Sequence, residues 1–93
     1  MNEIEIRGGQ NETWKATFTE PSGAASDISD MTFSLVAGSR TIPCAATITG
    51  AGEVTFHMTP AQTDSLPARS TVWIKQTNQT DTYFDGPIVL VSV

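Results

Sequence analysis

Apolar and polar residues alternate along most of this chain, which is the pattern of β-strands with one buried face. Glycine, proline and short polar turns separate the strand-like segments, which are 3–7, 13–19, 31–37, 40–49, 53–58, 70–76 and a last segment, 82–93, with a break at 85–87. Seven short strands at this spacing indicate an all-β sandwich or barrel, and we expect a two-sheet β-sandwich. The length of 93 residues fits one domain spanning 1–93.

The alternation stops once, at Thr59-Pro60-Ala61-Gln62. Thr59 suits a helix N-cap, proline fits the first helical position, and Gln62 stands where a capping box needs it. Pro67 disfavours helical geometry at Leu66. We therefore expect one short helical turn near 60–66, with Leu66 closing the end of the core. The inward parity of each strand predicts the remaining core residues, which with Leu66 are Trp14, Phe18, Phe33, Leu35, Val54 and Phe56.

The last run, Ile88 to Val93, is apolar on both faces apart from Ser92. A strand with one solvated face would alternate, so a second subunit is the simplest cover for the other face. We hypothesise an interface formed by Val89, Val91 and Val93 with Trp73 from the neighbouring strand. Trp73 is available only if Val72 and Ile74 point inward; the alternative, with Trp73 in the core, stays open.

Composition narrows the classes of partner. Ten acidic and five basic residues give a net charge of −5, which opposes binding to nucleic acid or to an anionic membrane. A single cysteine, Cys44, cannot form an intramolecular disulfide. The first residues lack the pattern of a signal peptide, so we expect folding in a reducing compartment.

Residues that could carry chemistry do not form a catalytic or metal-binding set. His57 is the only histidine and has the parity of a solvent-facing residue. Cys44 has core parity and is expected to be an inert thiol. The loop pairs Asp27/Asp30 and Asp81/Asp85 lack calcium-site spacing. We therefore expect no enzyme activity, no catalytic residues, no metal and no cofactor.

Several short motifs resemble those of immunoglobulin-like modules in bacteriophage virion proteins. They are the strand, turn and strand of 4–18, Asp27-Ile28-Ser29-Asp30 before a strand, the Thr-Pro-Ala-Gln-Thr-Asp-Ser-Leu-Pro turn of 59–67, and Gly86-Pro87-Ile88-Val89. The chain is similar to the N-terminal domain of phage baseplate upper proteins and to small tail-associated proteins.

That resemblance implies a non-enzymatic structural component of a phage virion, in the tail, neck or head, folded in the bacterial host cytoplasm. Its partners would be other virion proteins or further copies of itself, so we expect an oligomer in the assembled particle. The alternative function is a carbohydrate- or host-surface-binding module, with Trp73 and the loop acids as its site.

Overall fold

A computed structural model describes residues 2–93, with side chains from Glu3 onward. Two β-sheets pack face to face, and the elements are β1 (Asn2–Ile6), β2 (Glu12–Thr17), β3 (Thr32–Ala37), β4 (Arg40–Ile42), β5 (Ala45–Gly50), β6 (Glu53–Met58), α1 (Pro60–Asp64), β7 (Arg69–Thr77) and β8 (Thr82–Ser92). One sheet has five strands in the order β1-β8-β7-β3-β4, and the other has three in the order β2-β6-β5. The predicted β-sandwich is confirmed.

The structure has eight strands rather than seven because the segment 40–49 divides at Pro43 and Cys44. Proline cannot donate to a strand ladder, and the chain crosses there from β4 in one sheet to β5 in the other. Our expectation of one continuous strand was wrong. The two strands on either side of Pro43, β4 and β5, each lie at the edge of a sheet.

The core forms where β6, the central strand of the smaller sheet, packs onto the five-stranded sheet. Val54, Phe56 and Met58 on its inner face have no exposed surface. The five-stranded sheet contributes buried residues that include Ile6, Leu35, Val72, Ile74 and Leu90. Of the predicted core, four side chains are buried, and the other three, Trp14, Phe33 and Leu66, are partly buried and packed against it.

Helix α1 follows the predicted capping box. The Thr59 hydroxyl accepts a hydrogen bond from the Gln62 amide at 3.3 Å, and the Gln62 side chain accepts one from the Thr59 amide at 2.9 Å. Buried Thr63 donates its hydroxyl hydrogen to the Gln10 carbonyl at 2.8 Å. This bond fixes the helix to the turn between β1 and β2.

Strand β8 runs through the break predicted at 85–87 and contains a β-bulge there. Val72 pairs with Ile88 and Ile74 pairs with Asp85, so β8 has one more residue than β7 across this interval. The bulge contains Gly86, with φ of 139°, and the cis bond to Pro87. Because of the extra residue, the side chains that point to the inner face are odd-numbered before the bulge and even-numbered after it, although both halves of β8 lie in one sheet.

Strand β8 is also not an edge. It pairs in parallel with β1 and antiparallel with β7, so its backbone is hydrogen-bonded on both sides. The C-terminal run therefore offers no free strand edge along this stretch.

Phe56→Ala should lower the free energy of unfolding by about 3–5 kcal/mol, because it leaves a cavity in a packed interior. The matched control is Phe84→Ala, the same change at a side chain that is 58% exposed, which should cost less than about 1 kcal/mol. Urea denaturation measures both. Equal losses would contradict the core described above.

Gly52→Ala should be more harmful than Gly38→Ala, although both glycines have positive φ, of 65° and 63°. An added Cβ at Gly52 would lie 2.5 Å from the Phe18 carbonyl oxygen, whereas the space around Gly38 is open. We expect Gly38→Ala to cost about 1–2 kcal/mol for its backbone conformation, and Gly52→Ala to cost distinctly more. Thermal melting of the two variants provides the comparison.

Candidate functional site

Exposed aromatic side chains lie on the outer face of the five-stranded sheet. Trp73 is 38% exposed and Phe84 is 58% exposed, and both line a shallow groove with half-buried Val36 and with Gly38. We call Val36, Trp73 and Phe84 the aromatic patch. Trp73 pairs in register with Val36, so the patch extends across β3, β7 and β8.

The β-bulge brings the two aromatic rings to the same face. Val72 and Ile74 are buried, which directs Trp73 outward and decides the alternative that the sequence left open. The glycine at position 86 allows the Trp73 ring to lie close, since an added Cβ would be 3.4 Å from its Cε3 atom. Phe84 pairs in register with Lys75. Lys75 is two positions from Trp73 along β7, so Phe84 lies on the same face as Trp73. Bulges often redirect side chains in this way beside binding sites.

The predicted interface residues differ in accessibility. Val93 is 65% exposed and Val91 is half-buried, but Val89 is only 1% exposed. We expected a solitary sandwich to expose either these three valines or Ile88 and Leu90. Exposure is wrong for Val89, and Leu90 is also buried. Trp73 remains accessible. The interface itself stays a prediction, and Val89 contributes no surface to it.

An ion pair that bridges β8 explains the burial of Val89. Glu3 in β1 pairs in register with Val89, and Arg69 in β7 pairs with Val91. The Arg69 guanidinium donates to the Glu3 carboxylate at 2.6 Å, so these side chains meet over the strand between them. Both are more than half exposed, which makes the pair weak as an electrostatic bond. From the register and this ion pair we infer that the aliphatic carbons of Glu3 and Arg69 cover Val89.

The possible catalytic residues are distributed over separate surfaces. His57 faces outward as predicted, with Nδ1 3.1 Å from the Thr13 hydroxyl. Cys44 is partly buried, and burial raises the pKa of its thiol, so the reactive thiolate is disfavoured. Within residues 3–93, no group of three or more His, Cys, Asp or Glu side chains could hold a metal ion.

Asp27 organises the turn in which it lies. Its carboxylate accepts hydrogen bonds from the hydroxyl and amide of Ser29 at 2.8 and 3.2 Å, the pattern by which an aspartate forms a turn. These bonds lower the pKa of Asp27. In the loop before β8 the turn amides of Thr80 and Asp81 donate to the Asn78 side chain instead, and Asp81 accepts from the Thr80 hydroxyl at 2.9 Å.

Sequence searches identified no relative: no family model and no curated protein matches the chain. Two solved structures are similar in fold. An endo-fucoidan hydrolase of glycoside hydrolase family 107 aligns with a TM-score of 0.61 and 11% identity, over 98% of this chain and 12% of that one. The titin M3 domain aligns with a TM-score of 0.59 and 16% identity, over 98% of this chain and 86% of that one.

At these identities the likeness establishes fold alone. The chain is an immunoglobulin-like β-sandwich. It spans about an eighth of the hydrolase's length, and so corresponds to one small part of that protein. No helix within residues 2–93 has the length and apolar character needed to cross a membrane.

The sequence pattern did not identify Phe84 as a surface residue. It also did not show that Phe84 and Trp73 line the same groove. The signal was present in Asp85-Gly86-Pro87. A glycine next to a proline inside a strand pattern indicates a bulge as readily as a break, and a bulge shifts the parity of Phe84 relative to the strand after it.

Val89→Asp should destabilise the domain much more than Val91→Asp. Both positions face a glutamate across the β1–β8 pair, Glu3 and Glu5 respectively, and Arg69 is near both, since it pairs in register with Val91 and bonds Glu3. Val89 is buried, and a carboxylate there loses its hydration, at a cost of about 1–3 kcal/mol or more. Chemical denaturation checks this, and equal stability of the two variants would contradict the cover over Val89.

Proposed function

We propose that this domain is a non-enzymatic packing module of a bacteriophage virion, acting in the tail, neck or head by contact with other virion proteins. The observation that carries the proposal is the aromatic patch. It presents Trp73 and Phe84 to solvent from strands that are hydrogen-bonded into a sheet. The assignment to a virion is supported by the resemblance of the sequence motifs.

A rigid sheet face loses little conformational entropy on binding, which favours packing between preformed subunits. Tryptophan is among the residues most enriched at the centres of protein interfaces. Lys75 pairs in register with Phe84 and forms no ion pair among the described side chains. It therefore supplies a polar, charged rim beside the apolar centre, as typical interfaces have.

Carbohydrate or host-surface binding is the second candidate, because exposed aromatic rings also stack on sugars. This candidate placed the loop acids beside Trp73. In the fold, Asp27, Asp30 and Asp85 line a cleft between the sheets that reaches Phe84, while the Trp73 groove is lined by Val36, Gly38 and Phe84. Among the described residues, no loop acid lines the groove that contains Trp73, which favours packing over carbohydrate binding.

The double variant Trp73→Ser with Phe84→Ser should fold normally and lose at least about tenfold in incorporation into phage particles, since it removes the apolar centre of the patch. The measurement is immunoblotting of purified particles from host cells that produce each tagged variant. The control, Ile48→Ser, alters a residue that is 41% exposed on β5 of the other sheet.

Unchanged incorporation of the Trp73/Phe84 variant would contradict packing through this face. A glycan array distinguishes the second candidate. Binding of the unaltered protein to a defined glycan, abolished in the Trp73/Phe84 variant but kept in the control, would favour carbohydrate recognition instead. Genes for capsid, portal or tail proteins beside the coding sequence would support the virion assignment.

A further inference from the structure

A cleft of about 700 Å³ opens between the two sheets, on the side formed by β1, β8 and β2. Its apolar walls are inner-face residues that the opposite sheet only partly covers, among them Ile4, Trp14, Ala16 and Ile88. The cleft continues at Thr17 and Asp85 into a second, more polar groove. Together they form a trough along β2, which we call the β2 cleft.

The backbone of β2 borders this cleft as a free sheet edge. β2 pairs only with β6 among the described strands. The Phe18 amide donates toward the β5–β6 turn, to the Gly52 carbonyl at 2.7 Å. Hydrogen-bonding direction alternates along an antiparallel strand, so Thr13, Lys15 and Thr17 direct their N–H and C=O groups to the open side.

Trp14 lines the cleft and carries a buried hydrogen-bond donor without a partner among the described residues. Its indole N–H is buried and has no hydrogen-bond acceptor within residues 3–93. Buried polar groups are nearly always paired. The ring itself is fixed, since it stacks on Phe56 with the centroids 5.7 Å apart. Trp14 is therefore a rigid part of the cleft wall.

The two ends of the β2 cleft differ in charge. The polar groove is lined by three carboxylates, Asp27, Asp30 and Asp85, and by no basic side chain. Asp30 and Asp85 form no ion pair among the described residues. A basic group would therefore complement this end.

We propose that the β2 cleft binds an extended segment of a different protein, which adds to β2 as a fourth strand of the smaller sheet. Its alternate apolar side chains fill the space beside Trp14 and Ile88, and a basic residue lies at the Asp85 end. Strand addition of this kind draws affinity from main-chain hydrogen bonds and specificity from alternate side chains. The site shares Phe84 with the aromatic patch at its polar end, and it does not depend on the proposed function.

A second copy of this chain fits the β2 cleft poorly. Each copy has a net charge of −5, which opposes association. A symmetric pairing of two β2 strands centred on Lys15 would also place the two lysines opposite one another, and like charges directly opposite are destabilising.

The test uses the full chain and a set of synthetic peptides of about seven residues, the length that spans a strand such as β2. In each peptide, valine or isoleucine alternates with threonine and one arginine stands at either end; a second set has glutamine in place of arginine. Calorimetry measures affinity, and amide hydrogen exchange reports on Thr13, Lys15 and Thr17.

Lys15→Pro removes an amide hydrogen from the open edge and should weaken peptide binding at least tenfold. Proline is tolerated at an edge position whose N–H faces solvent. The matched control is Lys15→Ala, which also removes the Lys15–Glu53 ion pair, with its 3.2 Å separation, but keeps the amide. It should bind within about threefold of the unaltered chain.

Asp85→Asn provides a second variant that leaves the strand backbone intact. It should weaken binding of the arginine peptides and leave the glutamine peptides unchanged. The proposal is overturned if no peptide binds at millimolar concentration, or if Lys15→Pro folds and binds as the unaltered chain does. A dimer of the chain that Lys15→Pro dissociates would overturn it too, since the occupant would then be a second copy.

Discussion

The packing of β6 onto the five-stranded sheet is the interaction on which the remaining structure depends. Three inward side chains, Val54, Phe56 and Met58, are fully buried, and β2 and β5 are held in place by pairing with β6. Three strands cannot cover five, because strands lie about 4.8 Å apart and two strands leave roughly 10 Å of width uncovered. The crossover at Pro43 joins β4 to β5 and closes one side of the sandwich. The uncovered width therefore lies on the other side, where the β2 cleft is found.

Features set by local chemistry were predictable from the sequence. The alternation in 53–58 identified β6 and its three inward residues, and the capping box at Thr59 and Gln62 located α1. The hairpin at Gly38-Ser39 also followed from two turn residues between alternating segments, and Ala37 pairs with Arg40 as it requires. In each case the residues that determine the conformation are within a few positions of one another, so the local sequence is sufficient to predict it.

Features that depend on distant partners were not predictable in this way. Val89 was expected at the surface because its strand is apolar on both faces. Its burial results from an ion pair between Glu3 and Arg69, which are 66 positions apart in the chain. The pairing of β1 with β8 in parallel similarly joins the two ends of the sequence. The aromatic patch required knowing that residues 85–87 bulge within one strand, since a break would have left the face of Phe84 undetermined.

The β2 edge also raises the question of how an exposed strand avoids uncontrolled pairing. Natural sheets often protect an edge with a lysine, and Lys15 stands in the middle of β2. Here the lysine ammonium lies 3.2 Å from the Glu53 carboxylate on β6, so its charge is drawn back over the sheet and away from the edge. Hydrogen bonds from the Thr49 hydroxyl and from Lys15 lower the pKa of Glu53, so this carboxylate stays ionised to lower pH than an ordinary glutamate. The residue type that would normally protect the edge is thus held to one side, and the backbone beside the cleft stays accessible to a partner strand.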